Sequence, residues 1–259
     1  MELGLAGRRA LVTGSHRGTG EATARVLAGE GAHVLVHGFE AEAAESVAAS
    51  IRGGGGEATA VWGDIRDDAG AAGVAKAAGD VEILVNNYGV AEGGSWQSPT
   101  ADWVDLYEKN VLSAVRMTQA FTPRMRETGF GRVVFLGTVG AQRPAARMPH
   151  YYASKTALLN MTLSLAKELA GTGVTVNLVS PGIVATAEVV AGLERRARRE
   201  SGETDWSEIE ARAAREWFPN AVGRLGRPEE VGQLVAFLAS DCAGYINGAN
   251  LSVDGGPLP

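Results

Sequence analysis

The amino-acid sequence predicts an α/β protein with a doubly wound parallel sheet of about seven strands. Short apolar runs, typical of buried strands, alternate along the chain with stretches of helical periodicity. A glycine-rich turn joins the first predicted strand to the first helix, as in parallel sheets with right-handed crossovers. Neither a linker nor an internal repeat interrupts the 259 residues, so we expect a single domain over residues 1–259.

Composition and charge exclude several functional classes. The net charge of -6 argues against binding to nucleic acid or to a membrane surface. No apolar run could cross a bilayer and no signal sequence is evident, so we expect a cytoplasmic protein. The single cysteine, Cys242, excludes an internal disulfide and is predicted to be a small buried residue. The four histidines lack metal-ligand spacing, and the Gly-x-Ser-x-Gly elbow of hydrolases is absent.

Each predicted strand is a short apolar run that ends at a glycine or a polar residue. The predicted strands cover residues 9–13, 33–37, 58–62, 81–85, 132–136, 175–179 and 250–253. Helical patterns are found at about residues 19–30, 41–52, 101–126, 151–169 and 227–239. Pro123 lies late in the third of these stretches and is expected to kink or end that helix.

The turn after the first strand predicts a dinucleotide site. Glycines let the backbone approach a pyrophosphate, and the N-terminus of the following helix favours its negative charge. The glycines at 14, 18 and 20 follow Thr13 in the pattern Thr-Gly-x-x-x-Gly-x-Gly. From here on the sequence resembles the short-chain dehydrogenase/reductase family, which has a Rossmann fold. The resemblance implies cofactor contacts from Gly14, Ser15, Arg17, Gly18, Thr19 and Gly20. The same turn would also serve as a plain connection between strand and helix.

Tyr151 and Lys155 are the candidate acid/base pair. A spacing of four residues places both side chains on one face of a helix. A nearby ammonium group favours the phenolate and lowers the pKa of a tyrosine, so the pair is a candidate for proton transfer. A chance surface contact is the alternative. The family resemblance further implies that Thr138 occupies the position of the catalytic serine, and that Asn110 disturbs its helix so that its carbonyl holds a water.

Other strand ends resemble cofactor contacts of the family. Asp64 and Ile65 follow the third strand, where an aspartate meets the adenine ring, although Asp64 would equally serve as a helix cap. Asn87 and Gly89 belong to a segment that usually reads Asn-Asn-Ala-Gly, and Tyr88 replaces its alanine. The family places one further segment beside the nicotinamide, and here it contains Pro181, Gly182, Ile183 and Thr186.

The end of the second strand predicts a preference for NADP(H), with NAD(H) possible. Enzymes that prefer NAD usually carry Asp or Glu there to bind the ribose 2′-hydroxyl, but this chain has His37. Arg17 would bind a 2′-phosphate through its planar, charged fork, and His37 would add a donor, more strongly when protonated. Many NADP enzymes of the family have a second arginine where this chain has Phe39, so discrimination is expected to be modest. The alternative for Arg17 is a solvated turn residue.

Residues from about 187 to 222 interrupt the alternation of strands and helices and are predicted to be a substrate lid. Trp206, Trp217 and Phe218 would either face a substrate or, as we prefer, dock this segment on the core. The resemblance implies an NAD(P)-dependent oxidoreductase that acts on a small carbonyl or alcohol, such as a ketoreductase, assembled as a homotetramer or dimer. A catalytically weak member that binds a dinucleotide as a sensor or scaffold is the alternative.

Overall fold

A computed structural model describes residues 2–256. Its strands are β1 (Arg9–Val12), β2 (His33–Gly38), β3 (Glu57–Trp62), β4 (Ile83–Asn86), β5 (Gly131–Leu136), β6 (Val174–Pro181) and β7 (Asn250–Val253). All neighbouring strands pair in parallel in the order β3-β2-β1-β4-β5-β6-β7. The predicted doubly wound, seven-stranded fold is therefore confirmed.

Alternating side chains of the strands supply two separate apolar layers. In β1, Ala10 and Val12 pack against helices α1 (Gly18–Gly29), α2 (Ala41–Gly53) and α9 (Pro228–Ala239). Leu11 points to the opposite face, which is covered by α3 (Asp68–Ala78), α5 (Ser113–Thr128) and α6 (Pro149–Glu168). Because side chains of a strand alternate between faces, a strand buried on both sides becomes a continuous apolar run.

The strand order places the candidate site. From β1 the chain crosses to β2 on one side, whereas β4 pairs with β1 on the other. The loops after β1 and β4 therefore leave the sheet on either side of a crevice at its carboxyl edge, the usual ligand position in such sheets. This geometry brings the glycine-rich turn against the residues that follow Asn86.

The predicted helix over residues 101–126 consists of three parts. Helix α4 (Thr100–Tyr107) and α5 flank a π-helical turn, Glu108–Leu112, which contains Asn110. Such π-turns inside helices are frequent at functional sites. The prediction that Asn110 disturbs its helix is confirmed. Of the two effects expected of Pro123, a kink or an end of the helix, the second does not occur, because α5 continues to Thr128.

Two further features differ from the sequence analysis. Cys242 is exposed rather than buried, because it lies in a short 3-10 turn (Asp241–Ala243) on the surface. Helix α3 was not predicted, because its alanines and glycines give a weak periodic pattern. It begins where the Asp67 side chain accepts a hydrogen bond from the Gly70 amide, a common N-cap.

The segment after β6 forms helices α7 (Ala187–Ser201) and α8 (Trp206–Arg212) and a second π-turn, Ala213–Trp217. Its apolar residues form a third cluster, built on Leu193, Ala197, Ile209, Ala213, Ala214 and Leu225. Trp206, Trp217 and Phe218 pack against this cluster. They therefore hold the segment together internally, whereas the sequence analysis preferred that they dock it on the core. No helix within residues 2–256 is long and apolar enough to span a membrane.

Candidate active site

A cleft of about 620 Å³ opens at the carboxyl edge of the sheet between the ends of β1 and β4. Its volume is within the usual range for sites of small molecules and cofactors. Predicted residues that line it are Gly14, Arg17, Gly18, Thr19, Gly20, Asp64, Asn87, Gly89, Lys155, Pro181 and Thr186. The cleft therefore joins the glycine-rich turn, the adenine-side aspartate and the candidate lysine in one depression.

The glycine-rich turn is shaped for close approach. Gly14 and Gly18 have φ angles of 63° and 59°, in the left-handed region that favours glycine. A Cβ on Gly20 would lie 2.4 Å from Asn87 Nδ2. That amide donates to the carbonyl oxygens of Thr13, at 2.8 Å, and Gly14, at 3.2 Å. Asn87 thus fastens the turn to the end of β4 and leaves the N-terminus of α1 open toward an anion.

Ser15 and His37 form the floor beneath this turn and do not line the cleft. The Ser15 hydroxyl donates to the Val12 carbonyl and accepts from the His37 amide. The buried His37 ring accepts the Gly14 amide at Nδ1, which leaves Nε2 to donate to the Gly63 carbonyl. Burial lowers the pKa of His37 to about 4. Both ring nitrogens are used, so the expectation that His37 donates to a 2′-phosphate is corrected.

The adenine-side end of the cleft contains an arginine that the sequence analysis missed. Arg66 donates to both carboxylate oxygens of Asp64 at 2.6–3.1 Å, and its guanidinium lies 5.1 Å from the ring centre of Phe39. The Tyr88 ring lies 4.9 Å from that of Phe39, so Tyr88 belongs to this aromatic wall. The position of Arg66 two residues after Asp64 is the signal that could have found it. Neighbouring Ile65 is buried in the core, so only its backbone is available to a ligand.

Arg17 also has a carboxylate partner. Its guanidinium contacts Glu188, in the first turn of α7. Thr186 caps this helix by accepting from the Val189 amide. A Cβ on Gly18 would lie 3.7 Å from the Thr186 side chain. The glycine-rich turn and the beginning of α7 therefore face each other across the cleft.

Lys155 closes the other end of the cleft. Its Nζ donates to the Leu136 carbonyl at 2.9 Å, and burial lowers its pKa to about 8. A Cβ on Gly89 would lie 2.7 Å from that nitrogen, so any larger residue at position 89 would displace the lysine side chain. Of the nearby Pro-Gly segment, Pro181 lines the cleft, Gly182 donates to the Val253 carbonyl, and Ile183 lies partly exposed beside it.

The Tyr151 and Thr138 hydroxyls contact each other one helical turn from Lys155, and neither residue is among those that line the cleft. Burial raises the pKa of Tyr151 to about 12, Tyr152 adds to that rise, and a hydrogen bond from Thr138 opposes it. The pKa of Tyr151 is thus raised, whereas the sequence analysis expected it to be lowered by Lys155. The reason is that Lys155 donates to a backbone carbonyl and that burial penalises the phenolate. Gly140 donates its amide to the Thr138 oxygen at 3.2 Å, which leaves the Thr138 hydrogen for the bond to Tyr151.

The π-turn connects to Tyr151 through hydrogen bonds. Asn110 Oδ1 accepts the Val90 amide at 2.7 Å, and its Nδ2 donates to the Ser154 hydroxyl at 3.0 Å. Ser154 in turn donates to the Tyr151 carbonyl at 2.7 Å. The Asn110 side chain thus holds the loop after β4 against the first turns of α6, and Ser154 is a positioning residue that sequence reasoning missed.

Comparisons with known proteins agree with this architecture. The short-chain dehydrogenase/reductase model described as enoyl-(acyl carrier protein) reductase matches residues 14–257. The uncharacterized oxidoreductase YvaG of Bacillus subtilis is 38% identical over 99% of this chain and 98% of its own. The 3-oxoacyl-[acyl-carrier-protein] reductase FabG of Haemophilus influenzae is 32% identical over 96% and 98%.

Solved structures show the same fold with ligands. L-sorbose reductase from Gluconobacter frateurii, complexed with NADPH and L-sorbose, superposes with a TM-score of 0.92 at 29% identity, covering 99% of this chain and 98% of that one. A putative NAD(P)-dependent gluconate 5-dehydrogenase from Beutenbergia cavernae, with bound NADP, gives 0.84 at 37% identity and 98% coverage of both. With the glycine-rich turn, the cleft and the full-length matches in agreement, the chain belongs to the short-chain dehydrogenase/reductase family, whose enzymes act on CH-OH and C=O groups.

Proposed function

We propose that the protein is an NADP(H)-dependent oxidoreductase that interconverts a ketone and a secondary alcohol. The observation that carries the proposal is the Tyr151–Thr138 hydroxyl pair, one helical turn from the buried Lys155 that lines the cleft together with the glycine-rich turn. Two hydroxyls at one point can bind the oxygen of a carbonyl and deliver a proton to it. The ketoreductase direction is the one to assay first, with L-sorbose and a 3-oxoacyl thioester as substrates.

The residues of the cleft fit a dinucleotide. The open N-terminus of α1 and the glycines of the turn would hold the pyrophosphate, and Asp64 with the Phe39 ring would bind the adenine end. Lys155 would hold the nicotinamide ribose, beside Pro181 and Thr186. When bound, the cofactor supplies or accepts the hydride, and the protein contributes orientation and proton transfer.

Each polar side chain near Tyr151 has a separate part in the proposed reaction. Tyr151 would protonate the carbonyl oxygen during reduction and deprotonate the alcohol in reverse. Thr138 would hydrogen-bond the same oxygen and stabilise its developing charge. The raised pKa of Tyr151 keeps its hydroxyl protonated at neutral pH, as a proton donor requires. Asn110, within the π-turn, would hold a relay water at its backbone carbonyl.

Arg17→Ala tests the NADP preference. Arg17 offers a charged fork at the cleft, and losing one charge-assisted contact costs about 1.5–3 kcal/mol. We therefore expect kcat/KM for NADPH to fall at least ~10-fold, with little change for NADH. Steady-state kinetics with both cofactors and one substrate provide the measurement. A wild-type preference for NADH would refute the NADP assignment while leaving the roles of Tyr151 and Lys155 in place.

We further propose that residues 187–222 act as a lid over cofactor and substrate. Support comes from the separate apolar cluster of this segment and from the start of α7 at the cleft. Hydrogen exchange should be fastest here in the free protein and should slow when NADPH and substrate bind, because closure protects its amides. Strong protection already in the free protein would identify a fixed structural element instead.

By family resemblance we also infer a cytoplasmic homodimer or homotetramer that pairs the two long helices, α5 and α6. The apolar Leu163 on α6 is half exposed, which supports burial of this helix face against a second copy.

A further inference from the structure

Both arginines that line the cleft are already paired with carboxylates of the protein. Arg17 and Arg66 are the arginines among its lining residues, and Glu188 and Asp64 line it as well. Each arginine contacts one of these carboxylates, Arg17 with Glu188 and Arg66 with Asp64. An anionic ligand that approaches either arginine therefore meets a carboxylate that holds the same guanidinium.

The two pairs differ in how firmly they are held. Asp64 and Arg66 are two residues apart, share three side-chain hydrogen bonds, and are joined by a further bond from the Arg66 amide. Arg17 contacts Glu188 through Nη1 alone, across 171 residues of sequence. Both side chains of this second pair are about two-thirds exposed, at 65% and 66%. Exposed pairs of this kind contribute little to stability, so the Arg17 pair is the one that a ligand can exchange.

The Glu188 carboxylate is stabilised at its position even without Arg17. It lies in the first turn of α7, where a carboxylate is favoured by the positive end of the helix dipole. The helix keeps its own cap, since Thr186 accepts the Val189 amide. Release of Arg17 therefore costs α7 little, whereas the planar fork of Arg17 gains a stronger, doubly charged partner in a phosphate group.

On the basis of the proposed function, we propose that Glu188 is a specificity-determining residue that competes with the 2′-phosphate of NADP(H) for Arg17. In the free protein Arg17 is held by Glu188, and it exchanges this carboxylate for the phosphate when the cofactor binds. A ligand without the phosphate leaves the pair in place. Glu188 therefore weakens the preference for NADP(H) over NAD(H) and, on exchange, frees the first turn of α7.

Glu188→Gln tests this by direct binding, without turnover. The probes are adenosine 2′,5′-bisphosphate and adenosine 5′-monophosphate, which differ only in the 2′-phosphate, and the measurement is isothermal titration calorimetry. We expect the variant to bind the bisphosphate about two- to fivefold more tightly, the scale of an exposed ion pair, and the monophosphate unchanged. Glu194→Gln is the matched control, because Glu194 lies on the same helix and forms no ion pair with any residue in the described range 2–256. It should change neither affinity.

A double mutant separates this inference from the cofactor assignment. Arg17→Ala should weaken binding of the bisphosphate and leave binding of the monophosphate unchanged. Adding Glu188→Gln to this variant should not raise the bisphosphate affinity, because the arginine for which Glu188 competes is absent. Three outcomes would overturn the role of Glu188 while the NADP assignment stands. Glu188→Gln could bind both probes more tightly to the same extent, bind neither more tightly, or give the same gain in bisphosphate affinity without Arg17. If Arg17→Ala leaves bisphosphate affinity unchanged, Arg17 does not bind the 2′-phosphate and the competition fails. A wild-type protein that binds the two probes equally would refute the NADP assignment itself.

Discussion

Tyr151→Phe should lower kcat by at least ~100-fold, the usual scale for loss of a positioned acid or base. The change removes one hydroxyl and keeps the ring, so packing at the first turn of α6 is preserved. Because Lys155 keeps its bond to the Leu136 carbonyl, binding of NADPH should be largely unchanged. Single-turnover kinetics, with NADPH affinity measured by fluorescence, separate the two effects.

Tyr152→Phe is the matched control. The two rings lie 5.3 Å apart, and Tyr152 packs against Gly140, so both changes remove a hydroxyl from neighbouring residues of the same helix turn. We expect the Tyr152 variant to retain near-normal turnover. If the Tyr151 variant did so instead, the acid/base assignment would be wrong and Tyr152 would become the candidate.

Thr138→Val should reduce kcat by about 100-fold, because one donor to a developing oxyanion contributes on that scale. Thr138→Ser keeps the hydroxyl and should retain most of the activity. The threonine hydroxyl both hydrogen-bonds Tyr151 and caps the 3-10 turn Val139–Ala141, so valine also removes a small structural contribution of ~1 kcal/mol. Kinetics of both variants provide the measurement.

Thermal melting distinguishes the catalytic part of this effect from the structural part. A loss of activity in Thr138→Val at a melting temperature close to that of the serine variant would assign the loss to chemistry. Equal activity in the wild-type and valine proteins would show that the hydroxyl has no part in catalysis.

The fold was predictable because local signals and the global arrangement agree. Continuous apolar runs indicate strands buried on both faces, and a glycine-rich turn after the first run indicates where the sheet binds a ligand. The disturbed helix at Asn110 was found only through the family resemblance, since a polar residue on a helix is otherwise unremarkable in sequence. Helix α3 was missed because small residues carry little periodic information.

Side-chain partners were less predictable than elements. His37 was expected to face the cofactor, but the chain turns its ring beneath the glycine-rich turn, where two backbone groups use both nitrogens. The Arg17–Glu188 contact joins residues 171 positions apart, and a contact of that range leaves no local trace in sequence. The expected lowering of the Tyr151 pKa by Lys155 was wrong for a related reason. Lys155 donates to the Leu136 carbonyl, and the burial of Tyr151 raises its pKa instead.

The separate apolar cluster of residues 187–222 bears on how such a protein can acquire a new substrate. Leu193, Ile209 and their neighbours bury one another, whereas Thr138, Tyr151 and Lys155 are held by β5 and α6. Substitutions that repack the segment therefore leave both faces of the sheet intact. Natural selection or protein design can therefore exchange this segment as a unit while the reacting groups keep their positions. The sheet and its reacting groups are then kept unchanged, and the substrate preference evolves through residues 187–222, the segment that contributes least to packing on the sheet.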